Sequence, residues 1–434
     1  METGHRITID KNTRYQEIVG FGPALTGASC YNILKMSPED RAALLEELFD
    51  TEKGLGISMV RVSIGSSDFS VNKDFTWCDE KGIENFSVPV EDALYLIPIL
   101  KEVYKINPNL QILASPWTCP LWMKRMSVND DSDFVYSGDP NVSSWAGGSL
   151  KPSCYDDYAK YFVLWIQAMQ KEGFNIYGIT VQNEPLNAGN TASVYMTWQE
   201  QRDFIKQSLG PAFAEAGLAT KIICYDHNYN GYNYPINIFN DKEAAKYVAG
   251  SAWHDYNGTL ADMDNIVTAA PDKEIYFTEA SIGRWNYSFA GKLISDMSNI
   301  FMGTMERGCK GVTLWNLALD ENNGPYRHHG CYTCYGAITI SSTTHKVVER
   351  LSHYYDIAHC TKVVKNGAVR IGTRGNDITN LSCQAFMNPD GSYGVLLLNK
   401  SIKGESQTVV LDNGVHSIKC EVPLRSVVSV IWKD

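Results

Sequence analysis

Apolar residues along this chain follow two patterns, and the change from one to the other marks two kinds of structure. From about residue 17 to 350, short β-prone runs alternate with segments whose apolar residues recur at helical spacing. The predicted strands are 18–25, 58–64, 110–114, 176–181, 221–225, 248–253, 274–278 and 311–314. Helical spacing fills the gaps. At 37–49, Ser37 can cap, Pro38 fits the first helical position, and Leu44, Leu45 and Leu48 share a face. Stretches 159–171, 199–209 and 293–305 read the same way. Eight strand–helix units predict a (β/α)8 TIM barrel, of the α/β class, whose working face lies at the carboxyl ends of the strands. A doubly wound sheet ranks second, because no Gly-rich phosphate loop follows a strand.

After about residue 352 the helical spacing stops. Short β runs at 368–372, 381–387, 393–399, 407–411, 417–422 and 427–432 are separated by turn signals such as Asn388-Pro-Asp-Gly391 and Asp412-Asn-Gly414. This predicts an appended antiparallel β-sandwich. Residues 6–10 also read as a strand outside the barrel, one that pairs with the sandwich. The expected organisation is an N-terminal strand (1–16) lent to the sandwich, a catalytic barrel (17–350) and the sandwich itself (351–434). No flexible linker joins the last two, so rigid packing is expected.

Composition narrows the partners. A formal charge of −11 in 434 residues argues against nucleic acid or an anionic membrane surface. No run approaches the roughly 18 apolar residues of a membrane span, so no membrane insertion is expected. The first five residues lack the basic head and apolar run of a signal peptide, as would a chain whose leader has been removed. A secreted, periplasmic or cell-surface location is expected, with the cytoplasm as the alternative. The 11 cysteines are odd in number and scattered, which argues against a disulfide framework. Cys331-Tyr-Thr-Cys334 reads as free thiols or one local bridge. The 10 Trp and 24 Tyr suit the flat faces of sugars, or simply the core of a large α/β protein. Oligomeric state is not legible.

The chemistry lies at the strand ends. Ile179-Thr-Val-Gln-Asn-Glu-Pro185 and Ile275-Tyr-Phe-Thr-Glu-Ala280 each place one glutamate, Glu184 and Glu279, where strand pattern gives way to loop. A buried carboxylate is expensive to desolvate and adds little to packing. Two in one chain suggest a shared cleft, and paired carboxylates are how enzymes break glycosidic bonds. Position 279 less 184 leaves 95 residues, about 32 per unit if three units intervene, close to the length of a barrel repeat. They would end strands four and seven. The other strand ends carry Asp68, Trp117, Asn183, Asp226, His227, His254, Tyr256, Trp315 and Asn316. Carboxylates, amides, imidazoles and indoles on one rim are what a polyhydroxylated ring requires, with Asp68 accepting hydroxyls and Trp117 and Trp315 offering apolar walls. His328 and His329 have no third ligand at recognisable spacing, so no metal and no cofactor are expected.

The ordered set resembles glycoside hydrolase family 30, the glucosylceramidase-like family of the (β/α)8 glycosidases. The matching motifs are Gly20-Phe-Gly22, the Asp68 segment, Ser115-Pro-Trp117, Gln182-Asn-Glu-Pro185, Thr278-Glu-Ala280, Trp315-Asn-Leu-Ala-Leu319 and His353-Tyr-Tyr-Asp356. The resemblance implies a barrel with a β-sandwich built from both chain ends, and a retaining mechanism. Glu184 would be the acid/base, with a raised pKa, and Glu279 the ionised nucleophile. It implies that Asn183 bonds the sugar 2-hydroxyl. Tyr256 would steady Glu279; Arg61 would do the same or form a buried ion pair. His254 would touch the sugar or bond from behind it. Asp226 and His227 would line outer subsites or cap a loop. Loops 75–86, 124–150, 226–234 and 322–335 carry the aromatics suited to extended sugar contacts. The expected substrate is a β-linked glucan, β-1,6-glucan first, with glucosylceramidase, β-glucosidase or β-xylosidase activity as alternatives. A carbohydrate-binding barrel without catalysis is the alternative from another class.

Overall fold

The computed structural model describes residues 4–136, 145–404 and 406–434. Eight parallel strands close into a barrel: Gly20–Ala24, Met59–Ser63, Gln111–Ser115, Ile176–Thr180, Lys221–Asn228, Val248–His254, Glu274–Glu279 and Cys309–Asn316. All eight fall where the sequence pattern puts them. The strands are buried almost throughout, as a parallel sheet covered on both faces must be. The first two strands approach closely. A Cβ on Gly22 would sit 1.8 Å from the Met59 carbonyl, so only glycine fits there.

The capping signals hold locally. Ser37 Oγ accepts from the Asp40 amide, Pro38 opens helix Pro38–Phe49, and Leu44, Leu45 and Leu48 are buried. Thr197 and Glu200 close a reciprocal cap on helix Trp198–Phe204.

The second unit is a seven-stranded sheet in the order Ser417–Val422, Gln407–Asp412, His5–Glu17, Val369–Arg374, Leu381–Met387, Tyr393–Asn399, Ser426–Trp432. Its end strands come back into contact, giving the β-sandwich. Alternation drives burial: Ile7 and Ile9 are in the core beside Ile371, Val395, Leu397, Val409 and Leu411. Two details differ from expectation. The N-terminal strand is longer than 6–10, because it continues past Asp10 through register shifts against Val369–Arg374. It also pairs in parallel with Gln407–Asp412, so the sandwich is not wholly antiparallel. A strand from the far end of the chain has no hairpin to force its direction.

Barrel and sandwich are fastened by polar contacts at the bottom of the barrel. Gln16 Nε2 donates to the Met305 and Cys309 carbonyls, and Gln384 Nε2 donates to Met302. Helix Ser352–Thr361 packs on barrel strand Gly20–Ala24, on helix Phe289–Asp296 and on sandwich strand Ser426–Trp432.

Candidate active site

At the carboxyl ends of the strands lies a cavity of about 550 Å³. Its lining includes Asp68, Glu184, His227, Tyr256, Glu279 and Trp315, with Leu186 and Trp285 at the mouth. Glu184 and Glu279, from strands four and seven, face each other across it. A carboxylate oxygen of each and a His254 ring nitrogen all lie within 4.8 Å of one another.

Local backbone chemistry aims these groups. Glu184 has φ 44°, a left-handed conformation uncommon outside glycine, and its amide donates to the Asp226 carbonyl at 3.0 Å. On strand five, Tyr225 and Asp226 also have positive φ. Pairing with strand six skips from Tyr225–Ala252 to His227–Trp253, so Asp226 is a bulge residue turned into the barrel.

Asp226 is the hub that the sequence did not reveal. Its carboxylate accepts from Arg61 (2.9 Å), Thr180 (2.6 Å) and Thr278 (2.6 Å), and bonds His254 Nε2 (3.0 Å). It neither lines an outer subsite nor caps a loop. Fully buried Arg61 also donates to Glu279 Oε2 (2.6 Å), Asn183 Oδ1 (2.8 Å) and Ser115 Oγ (3.2 Å). It is therefore both the partner of Glu279 and a member of a buried ion pair. Tyr256 donates to Glu279 Oε1 at 2.8 Å. His254 Nδ1 faces Glu184 Oε1 at 3.1 Å, and Asn187 donates to Glu184 Oε2 at 2.8 Å.

Not every expected sugar contact lines the cavity. Trp117 stacks behind Trp315 (centroids 5.2 Å, 22°), and the Arg61 guanidinium lies over both rings at 4.8 and 5.6 Å. Trp117, Asn183, His254 and Arg61 sit behind the lining. Asp68 does reach it. Its Oδ1 is buried and unpartnered, an acceptor facing space sized for a sugar. Asn187, Asn190, Asn228, Ser281 and Trp285 also line the cavity and were not singled out in the sequence, where nothing separates them from other loop residues. The C-x-x-C bridge is closed, and both cysteines border the cavity. Of loop 124–150, residues 137–144 lie outside the described residues; Tyr136 and Trp145 pack edge to face.

Electrostatics reverse the expected order of the two acids. Burial pushes the Glu184 carboxyl up, but the His254 hydrogen bond and charge outweigh it and hold it below its ordinary value. Burial pushes Glu279 up, and the positive charges of His254 and Arg61 only partly offset this. His254 is the cause. Burial disfavours its charged form, yet the charge of Glu279 and bonds to Asp226 and Glu184 raise it to about 10. Asp226 stays ionised, because Arg61 and His254 overcome its burial. Burial and both glutamates push Asp68 well up. Burial lowers His227 to about 4.

Comparison with known proteins agrees with this fold. The model of the glycosyl hydrolase family 30 TIM-barrel domain matches residues 18–364, and that of the family 30 beta sandwich domain matches 367–430. An endo-1,6-beta-D-glucanase of Neurospora crassa is 32% identical over 91% of this chain and 82% of its own. A putative glucosylceramidase 1 of Caenorhabditis elegans is 32% identical over 95% of this chain and 79% of its own. A solved structure described as the endo-beta1,6-glucanase BT3312 superposes with a TM-score of 0.94 at 47% identity, covering 99% of this chain and 94% of that one.

Proposed function

Because the chain belongs to glycoside hydrolase family 30 and is a glycoside hydrolase, we propose that it cleaves β-1,6-glucan with retention, Glu279 acting as nucleophile and Glu184 as acid/base. The observation that carries this reading is the spacing of the two carboxylates. Oxygens within 4.8 Å match the short gap of retaining enzymes, about 5 to 5.5 Å between carboxyl groups, and leave no room for the extra water of inversion. We assign catalysis to the barrel, residues 17–350, and a supporting role to the sandwich of 1–16 and 351–434.

In the first step Glu279 attacks the anomeric carbon. Arg61 keeps Oε2 oriented, and the Tyr256 hydroxyl can turn from Oε1 to Ser281 Oγ, 2.8 Å away, freeing Oε1 to attack. The leaving oxygen takes its proton from the Glu184–His254 pair. His254 Nε2–H donates to ionised Asp226, so one further proton lies between Nδ1 and Glu184 Oε1. Neutral acid with neutral imidazole, or carboxylate with imidazolium, carries the same net charge. The pair thus stores the proton even though Glu184 alone is held low. In the second step Glu184, now ionised, takes a proton from water as that water attacks the glycosyl ester. Asp68 would accept sugar hydroxyls and Trp315 would back the ring, with Asn183 held behind them by Arg61.

The preference for a glucan over a glucosylceramide rests on the stronger likeness to an endo-β1,6-glucanase and on the polar, aromatic mouth around Trp285 and Asn190. Glucosylceramide is the runner-up, from the curated relative of that name. We further propose action outside the cytoplasm, supported by the Cys331–Cys334 bridge. Reducing-sugar release from a panel of β-1,6-, β-1,3- and β-1,4-glucans, beside glucosylceramide, tests the substrate. Turnover on the ceramide alone would overturn it. NMR of the first-formed anomer tests retention, and an α-anomer would refute it.

A further inference from the structure

A second cluster of buried acids and histidine lies away from the proposed reaction. Asp296 ends helix Phe289–Asp296, while His353 and Asp356 stand one turn apart on the same face of helix Ser352–Thr361. One carboxylate oxygen of each Asp and a ring nitrogen of His353 lie within 4.8 Å of one another, and all three residues are at most 4% exposed. Their polar atoms lack partners. Both oxygens of Asp356, Oδ2 of Asp296 and Nε2 of His353 are buried without a hydrogen bond. Such atoms cost roughly 1 to 3 kcal/mol each when left unsatisfied, more if charged.

The rest of Asp296 is already engaged. Its Oδ1 accepts from Ser295 Oγ at 2.9 Å and has Lys292 Nζ at 3.7 Å, leaving Oδ2 turned toward the histidine. His353 Nε2 stands 3.3 Å from that oxygen in a geometry that makes no hydrogen bond. Two donors each about 2.0 to 2.1 Å from a tetrahedral ion are themselves about 3.4 Å apart. The separation is compatible with a shared ion, and the angle is what denies a direct hydrogen bond.

We propose that Asp296, His353 and Asp356 bind one divalent cation of the zinc class, with solvent completing the shell. An imidazole in a set of only three side chains argues against calcium, which takes six to eight oxygens. The charges balance: two carboxylates, one neutral imidazole and a dication. The site is structural. It would clamp the helix that joins barrel to sandwich onto the helix after strand seven. It also borders the active-site loop, since the charges of Asp296 and Lys292 act on Asp255, between His254 and Tyr256. The proposed ion departs from the expectation of no metal drawn from His328, His329 and the lone C-x-x-C. It does not depend on the substrate assignment.

The test uses the whole protein. It is stripped with chelator, exposed to excess zinc chloride, dialysed against metal-free buffer and assayed by plasma mass spectrometry. About one zinc per chain is expected, retained in Glu279→Gln and lost in Asp356→Asn and His353→Gln. Cobalt(II) loaded into the unmutated protein should give visible ligand-field bands that added zinc abolishes, a reading that no folding defect can mimic. Zinc should raise the thermal midpoint of the unmutated protein and not that of Asp356→Asn. Less than a tenth of an equivalent of zinc, uptake of calcium instead, or equal zinc uptake by all variants would overturn the proposal.

Discussion

Among the described residues there are two buried sets of two acids and a histidine, and their difference lies in partnering rather than composition. In the set at the barrel mouth, both oxygens of Glu184, both oxygens of Glu279 and both nitrogens of His254 have partners. In the set at Asp296, His353 and Asp356, four such atoms have none. The first set meets its charge with Arg61 and a held proton, to within one negative charge once Asp226 is counted, and so can hand that proton over. The second needs something from outside. A density of titratable groups therefore does not by itself mark a reaction centre.

Substitutions that remove chemistry from the first set should have the largest effects. Glu279→Gln should lower kcat on β-1,6-glucan by about 10⁴-fold or more, since no other group can form the ester. Glu184→Gln should cost about 10² to 10⁴-fold. Its loss should shrink on an aryl glucoside whose leaving group needs no proton, which Glu279→Gln would not show. Equal losses on both substrates for the two variants would erase the division of labour.

Arg61→Met tests whether the mouth set is self-balanced. It leaves Asp226 and Glu279 buried without their cation, and breaking such a pair costs about 3 to 5 kcal/mol. Urea unfolding should show that loss. Asp356→Asn in metal-free buffer should instead be neutral or stabilising, because burial and the Asp296 charge already push that carboxyl well up and neither of its oxygens has a partner to lose. A large destabilisation there would mean that the second set is balanced after all.

The two sets also differ in how far they could be read from the sequence. The eight strands were legible because each is a short apolar run between helical stretches, and the glutamates because each sits where strand turns to loop. Asp226 was not. Its place at the centre depends on a bulge that only the pairing of strands five and six creates. The reversed acidity of the two glutamates had the same origin, since nothing in one dimension says that His254 faces Glu184. Trp117 looked like a sugar platform because tryptophan at a strand end usually has room; here Trp315 occupies that room. His353 and Asp356 show helical spacing, but Asp296 joins them only through the packing of two helices that lie far apart in the chain.

Asp68→Asn should act more mildly than the changes above. The unpartnered Oδ1 can remain as an amide oxygen, but the other oxygen becomes an N–H2 donor, and a sugar hydroxyl left facing it loses about 1 to 3 kcal/mol. A rise of about tenfold or more in KM, or an equal fall in kcat/KM, is expected. An unchanged kcat/KM would remove Asp68 from the sugar site.

The smallest effect concerns pH and gives the most direct view of the stored proton. His254 has a folded-state value raised to about 10, against 6.5 when free. A raised value means that the charged form is favoured by folding. The resulting stability is fully present below about pH 6.5 and is lost as pH rises toward 10. Unfolding midpoints of the unmutated protein should fall across that window more steeply than those of His254→Gln. The alkaline limb of kcat/KM should follow the pair, so in His254→Gln, where Glu184 must hold the proton alone, it should move to lower pH. Parallel stability curves and an unmoved limb would mean that His254 is uncharged in the folded protein. In that case the leaving-group proton would reside on Glu184 itself, and the mouth set would owe its balance to Arg61 alone.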